Sequence, residues 1–408
     1  MSYVKFGKLL RNSLDIMGVY DGEYAYKGPD CVQIDLTNDC NNNCIACWCN
    51  SPLLGDKATA KDIKEKSLDY KLVIKLIDKL FSMGTRELYF SGGGEPCMHP
   101  KLFEIMSHAK NRGFTCHLHT NFTLIDEKKI NALLEMKLDY LVISLWAATP
   151  QTYVLTHPNR SEENFLRLTE FLKLLNKSKQ TFPKVRIYNV ISNINYREII
   201  KMTDFILETT CDEVEFTVVD TIPGRTDRLL LSKEESAELL SMCKQIKDNG
   251  MYYTATNKFI VSNFDNFIRR ATSQESREGL YDTALKDMPC YVGWLFARVL
   301  ADGNVNSCLK SHRFPIGNLY QEEFDSIWNN SKQRYFRKNV TKSKNATSIF
   351  TLIGNDPDKE IGCYKSCDDL GRNRIMQAKL SRLNNCQRSI LKSAVNIKRL
   401  GRALLRKC

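Results

Sequence analysis

The stretch DCNNNCIACWC, residues 39–49, carries four thiols, and three of them, Cys40, Cys44 and Cys47, are spaced C-x3-C-x2-C. Thiols at this density bind metal in a reducing compartment, where disulfides do not persist. A cubane of four irons and four sulfides takes cysteine thiolates as its usual ligands. A trio leaves one iron corner open to a small molecule. Zinc or a redox thiol set is the alternative. Structural zinc closes four ligands in paired, finger-like spacings, and Cys49 would be its fourth ligand here.

Two further groups stand out. TRELYFS runs as a strand into GGGEP, so Gly92, Gly93, Gly94, Glu95 and Pro96 sit at a strand end, where glycines let backbone approach a ligand without side-chain room. Downstream, Cys290 and Cys308 are separated by 17 residues, and Cys363 and Cys367 follow in CYKSC. The Asp302-Gly303 turn ahead of Cys308 folds two short strands back on each other and draws Cys290 towards Cys308. Four thiols in one compact segment suffice for a second, fully ligated [4Fe–4S] cluster. Structural zinc uses the same pattern and remains the alternative.

CNNNCIAC followed by YFSGGGEP resembles the radical S-adenosylmethionine (SAM) superfamily, over roughly residues 31–225. The resemblance implies a [4Fe–4S] cluster on Cys40, Cys44 and Cys47, with SAM chelating the open iron. Reductive cleavage of SAM then gives a 5'-deoxyadenosyl radical that abstracts hydrogen from substrate. It also implies SAM contacts from Gly92, Gly93, Gly94, Glu95 and Pro96, and from Ser144 in ISLWAA and Asn193 in NVISNIN, with Arg160 or Arg186 on the SAM carboxylate. Two departures are visible. Ala46 stands where the family often has an aromatic residue, with Trp48 available to supply that surface, and Phe122 in HTNF replaces the glycine of a family T-N-G turn.

The region around Cys290, DGNVNSC, Gly317–Asn318, Trp328 and the final cysteine pair resembles the SPASM/twitch extension of these enzymes, with enough cysteines for one auxiliary [4Fe–4S] cluster. The resemblance implies an oxidoreductase. Its substrate would be small and polar: a sugar, an aminocyclitol, or a nucleotide- or lipid-linked, phosphorylated sugar. The auxiliary cluster would accept an electron, and flavodoxin or ferredoxin would serve as external donor. An epimerase is the second reading, with Cys97 as hydrogen donor. Peptide or protein modification is the third, and a non-enzymatic iron–sulfur electron carrier the fourth.

The elements that must position these groups alternate. Strand-like CVQIDLT is followed by five helix-then-strand repeats ending at EVEFTVVD, which predicts a parallel sheet with helices outside, a partial (β/α)6 TIM-like barrel with its site at the strand C-terminal ends. A dinucleotide-binding sheet is the competitor, but no G-x-G-x-x-G occurs. The expected divisions are an N-terminal helical extension (1–30), the barrel (31–230), a helical connector (231–285), a small iron–sulfur domain (286–370) and a basic tail (371–408). Singly placed Cys31, Cys116, Cys211 and Cys243 read as core residues.

The net charge of +12 lies almost wholly in the tail, where residues 371–408 hold 11 Lys or Arg and no Asp or Glu. The body is therefore near neutral, and nucleic acid is not an expected partner. In SILKSAVNIKRLGRALLRKC, Ile390, Leu391, Ala394, Ile397, Leu400 and Leu404 lie on or near one helical stripe among basic residues, as in helices that rest on anionic lipid. Cys386 and Cys408 in the tail are not expected ligands. No secretory segment or membrane-spanning run is legible, so the expected location is cytoplasmic, with peripheral contact to the inner membrane face through the tail.

Overall fold

The structure is a computed structural model that describes residues 13–254, 258–280, 288–341, 348–354, 362–363 and 367–405. The first twelve residues of the expected N-terminal extension, most of the expected loop at 339–348, and the tail beyond 405 with Cys408 lie outside the described residues.

The six anticipated strands form in chain order: β1 (Cys31–Asp35), β2 (Glu87–Ser91), β3 (Thr115–Thr120), β4 (Tyr140–Ser144), β5 (Lys184–Ile191) and β6 (Glu213–Val218). Each pairs in parallel with the next. The crossovers between them are helical, as parallel pairing requires. Tyr70–Ser82 shows how one is specified. Asp69 caps it by accepting from Leu72 N at 3.0 Å, and Val73, Leu76, Ile77 and Leu80 repeat at helical spacing to form the buried stripe. Gly84, at φ 93°, turns the chain back into β2.

Strand alternation sorts the side chains into two layers. Val185, Ile187 and Ile191 of β5 and Val214, Phe216 and Val218 of β6 are buried in the main hydrophobic core. The opposite face of the same strands carries Arg186, Tyr188, Glu213 and Glu215. The apolar face is covered by helices, and the polar face lines the bore.

Two features extend the sheet beyond the expected six strands. A short β7 (Val261–Ser262) adds in parallel to β6 from within the connector, whose longer helices are Lys233–Asp248 and Phe264–Ala271. At the other edge, β8 (Phe296–Val299) pairs in parallel with β1, placing Arg298 beside Gln33. β9 (Asn304–Asn306) returns antiparallel through the Asp302-Gly303 turn, with Gly303 at φ 84°, and β10 (Gly317–Asn318) follows. The strand order β10-β9-β8-β1-β2-β3-β4-β5-β6-β7 leaves β7 and β10 as edges, so the barrel is partial. The C-terminal cysteine segment is thus joined to the barrel by a backbone ladder.

The N-terminal segment is clamped to this C-terminal part. Arg337, fully buried, donates to Gly293 O (2.8 Å), Trp328 O (2.8 Å), Asn329 Oδ1 (2.8 Å) and Glu23 O (3.2 Å). Trp328 Nε1 donates to Lys27 O at 2.8 Å. Two helices, Leu370–Ser381 and Asn385–Leu405, close the chain.

Candidate active site

The cysteine loop leaves the end of β1 and is held from several sides. Ile45 N donates to Thr156 O at 2.9 Å. The three asparagines of CNNNC each have a partner. Asn41 Oδ1 accepts from Asn121 Nδ2 and Asn41 Nδ2 donates to Thr123 Oγ1, both at 2.8 Å. Asn42 Oδ1 accepts from Arg160 Nε at 2.5 Å, and Asn43 exchanges two bonds with Asn159. Arg160 also donates to Asn41 O. Two sulfurs accept backbone N–H groups: Cys40 from Asn42 (3.4 Å), and Cys47 from Cys49 (3.4 Å) and Asn50 (3.3 Å). Such donors favour a sulfur carrying negative charge. Burial pushes the Cys40 thiol up to about 11 and the Cys44 thiol up to about 12. Both therefore stay protonated at neutral pH unless a metal takes the sulfur. A hydrogen bond to Cys47 and burial also push the Cys49 thiol well up, opposed by the Arg298 guanidinium.

The glycine strand end packs directly on this loop. A Cβ on Gly94 would overlap the Asp39 carbonyl, and one on Gly93 would overlap Asn38. Gly94 N donates to Thr37 O (3.1 Å) and Glu95 N to Asp39 O (2.8 Å). Closeness to the cysteine loop itself is therefore what demands glycine here. The buried Glu95 carboxylate ties β2 to β3, accepting from Thr120 Oγ1 (2.6 Å), Asn121 N (2.7 Å) and Cys97 N (3.0 Å). Burial raises its pKa, and the three donors oppose the rise. Pro96 opens a short turn of helix that carries Cys97. The Cys97 sulfur lies 3.7 Å from Thr120 Oγ1, against the hydrophobic core, with its pKa driven well up by burial. Phe122 adopts φ 62°, the left-handed conformation that favours glycine, and its ring is buried.

The remaining anticipated residues divide. Ser144 ends β4 opposite Tyr188. Asn193 follows β5, donates from Nδ2 to Arg228 O at 2.8 Å, and keeps a buried Oδ1 with no hydrogen-bond partner. Beside it, Ile45, Val219 and Leu229, with Ala46, Val190 and Ile194, form a small apolar cluster between the cysteine loop and the ends of β5 and β6. An orphan acceptor at the edge of an apolar seat suits a flat, polar-edged ring. Arg186 is already engaged by Glu213 (2.7 Å) and Glu215 (2.6 Å) across β5 and β6.

Cys290, Cys308, Cys363 and Cys367 all line one cavity, with Lys310 and Asp369. A four-thiol cage of this kind fits an iron–sulfur cubane. Burial pushes Cys308 well up, and Asp369, also raised by burial, pairs with Arg372 at 2.5 Å.

Lys310 links the two cysteine sets, and the sequence reading did not anticipate it. Its Nζ lies 2.6 Å from Asp220 Oδ2, 3.5 Å from Asp368 Oδ2 and 3.1 Å from the centroid of the Trp48 ring. Trp48 Nε1 in turn donates to Asp220 O at 2.9 Å. Trp48 follows Cys47, Lys310 follows Cys308 by two residues, and Asp368 follows Cys367. Arg298 makes a second link, donating from Nε (2.9 Å) and Nη2 (2.6 Å) to Asp35 Oδ2 and from Nη1 to Leu309 O (2.8 Å). The only advance signal for either residue was a charge within a strand or next to a cysteine.

Within the bore, Tyr89, His117 and Tyr140 are register partners on β2, β3 and β4. Their rings stack with centroids 4.2 Å and 4.4 Å apart. His117 Nε2 lies 2.7 Å from Glu87 Oε1. His119, one step nearer the open end, has a buried Nε2 with no partner, and burial depresses its pKa to about 3.

A parallel partial barrel with a thiol-rich loop at its mouth and a four-cysteine cavity on its flank defines an iron–sulfur enzyme of the radical SAM class. The Radical SAM superfamily model matches residues 34–206, and the SPASM model, an iron–sulfur cluster-binding domain, matches residues 290–348. A tungsten-containing aldehyde ferredoxin oxidoreductase cofactor-modifying protein from Pyrococcus furiosus is 21% identical over 317 residues, 75% of this chain and 82% of the relative. An AdoMet-dependent heme synthase from Methanosarcina barkeri is 26% identical over 325 residues, 76% of this chain and 84% of the relative. Among solved structures, anSMEcpe with AdoMet and the Cp18Cys peptide shares the fold at a TM-score of 0.56 and 16% identity, covering 90% of this chain and 99% of that one. The chain belongs to the radical SAM superfamily and carries a SPASM domain. Its cofactors are accordingly SAM and [4Fe–4S] clusters.

Proposed function

We propose that this chain is a radical SAM oxidoreductase that removes two hydrogens from a small polar substrate, of the class of sugars, aminocyclitols and nucleotide- or lipid-linked sugars. Cys40, Cys44 and Cys47 hold the SAM-binding cluster, and Cys290, Cys308, Cys363 and Cys367 hold the auxiliary one. When bound, SAM and its cluster supply a carbon radical that takes one hydrogen atom from a substrate C–H. The protein then handles one proton and one electron. The proton would go to a base in the bore, with His117 and Glu215 as candidates; an auxiliary cluster held by the four cysteines would accept the substrate's electron, and a flavodoxin- or ferredoxin-type donor would supply the electron that SAM cleavage consumes.

The observation that carries this reading is the polar bore. Glu87, His117, His119, Arg186 and Glu215 face it from four different strands, so it offers hydrogen bonds where an apolar substrate would need an apolar wall. Gly92 to Pro96, Ser144, Asn193 and Trp48 form the SAM side of the site. Of the two arginines, Arg160 holds the cysteine loop and Arg186 is matched by two carboxylates. A SAM carboxylate would compete with existing bonds at either. Cys97, the hydrogen donor an epimerase would need, packs against the core, which favours oxidation.

Peptide modification is the second reading, favoured by the peptide bound to anSMEcpe. The test is anaerobic incubation of iron-loaded protein with SAM, a one-electron reductant and a panel of candidate sugars, aminocyclitols and peptides. The reading expects 5'-deoxyadenosine together with a sugar or aminocyclitol product two mass units lighter. An isomer of unchanged mass would replace oxidation by epimerisation, and a mass change only in peptide would overturn the substrate class.

A further inference from the structure

The C-terminal helix Asn385–Leu405 turns the expected amphipathic arrangement around. Its arginines face the protein. Arg402 pairs with Asp21 (2.6 Å) and Tyr26 Oη (2.9 Å) and lies over the Tyr24 ring (4.2 Å), Arg399 donates to Asp21 O, and Arg388 reaches Tyr20 Oη at 3.3 Å. Val395 is buried between them, at 4% exposure. At about 100° per residue, these groups share one face. The opposite face carries Ile390, Ile397, Leu400 and Leu404, exposed by 63%, 69%, 66% and 67%. The docked side thus holds an aliphatic stripe outward, and Lys392 and Lys398, both exposed, lie roughly 120° to either side of the stripe.

We propose that this stripe is an attachment surface for an anionic phospholipid bilayer. An interfacial helix immerses an aliphatic stripe and lets lysines further round the helix extend their charged ends to the headgroups. The charge supports lipid: with Arg388, Arg399 and Arg402 turned inward, Lys392 and Lys398 remain exposed on this helix, and residues 371–408 contain no acidic side chain. The stripe's chemistry also favours lipid over a protein partner. Leucine and isoleucine give area without the Trp, Tyr or Arg anchors that dominate protein interfaces. No helix among the described residues is long and apolar enough to cross a membrane, so the contact is peripheral. The proposal is independent of the substrate assigned above.

The test is flotation of the full-length, iron-loaded protein with vesicles of phosphatidylcholine alone or with about one-third phosphatidylglycerol. The protein is expected to float with the anionic vesicles and to be released by salt. The triple variant Ile390→Ser/Ile397→Ser/Leu404→Ser loses at least about tenfold in partitioning. The double variant Lys392→Glu/Lys398→Glu, which leaves the stripe intact, loses at least about tenfold on anionic vesicles only. Both substitution sets are at exposed positions and leave the Arg388, Arg399 and Arg402 contacts in place, and reductive SAM cleavage by both variants should match the parent. Failure of the parent to float, or flotation of the triple variant at the parent's level, overturns the proposal. So does a dimer in analytical ultracentrifugation that the triple variant dissociates, since the stripe would then be covered by a second copy.

Discussion

Replacing Lys310 with methionine removes the ammonium at the junction of the two cysteine sets and leaves an unbranched chain to cover Trp48. In the parent the Lys310 side chain is 3% exposed, against 18% for Asp220 and 37% for Asp368. Breaking a fully buried pair costs about 3–5 kcal/mol, and an exposed pair contributes at most about 1 kcal/mol. The partial exposure of both carboxylates puts this site between those limits, and loss of the cation over the Trp48 ring adds about 1 kcal/mol. The expected total is about 2–3 kcal/mol, or roughly 30- to 150-fold in an equilibrium constant. Because Lys310 ties one cysteine loop to the other, the loss should appear as local opening. Hydrogen exchange by mass spectrometry, on anaerobic iron-loaded protein, should show amides in residues 44–51 and 306–312 exchanging faster by about that factor. The strands β2 to β5 should be unchanged. Exchange within about threefold of the parent in both loops would refute the idea that Lys310 couples them.

Gly94→Ala sets a methyl against the Asp39 carbonyl and should displace the cysteine loop while sparing the cavity at Cys290 and Cys308; iron analysis should fall from about eight to about four per chain. Glu95→Gln turns an amide donor towards the Asn121 N–H or the Thr120 hydroxyl and should destabilise by about 2–4 kcal/mol in a denaturant melt. His119 and His157 are neutral in the fold, with pKa values lowered by burial to about 3 and about 4. The unfolded chain takes up these protons near 6.5 and the folded chain does not, so their contribution is complete above that pH and is lost as pH falls towards 4. The limiting slope is about 1.4 kcal/mol per pH unit for each. His157→Phe, which retains an aromatic partner for Tyr153, should remove one such slope in urea melts between pH 7 and pH 4.5.

The chemistry-bearing groups were legible because their signals are local. C-x3-C-x2-C and GGGEP announce themselves by spacing over a few residues, and the six strands and their helices by the period of their apolar residues. Phe122 illustrates the limit: the turn was recognisable, but only the fold shows that its ring is buried at φ 62°. β7 is too short, at two residues, to carry a periodic signal. Parallel addition of β8 to β1 joins residues more than 260 apart in the chain, and no local pattern encodes it.

By itself the sequence determined the thiol sets, the parallel barrel and the concentration of positive charge in the tail. Tertiary structure alone decided which charges meet: Lys310 with Asp220, Arg298 with Asp35, and Arg402 with Asp21. It also decided that the tail's arginines turn inward and its aliphatic stripe outward. The physical reason is that periodicity specifies which face of an element is apolar, whereas the partner of a charged side chain is set by contacts between segments far apart in the chain.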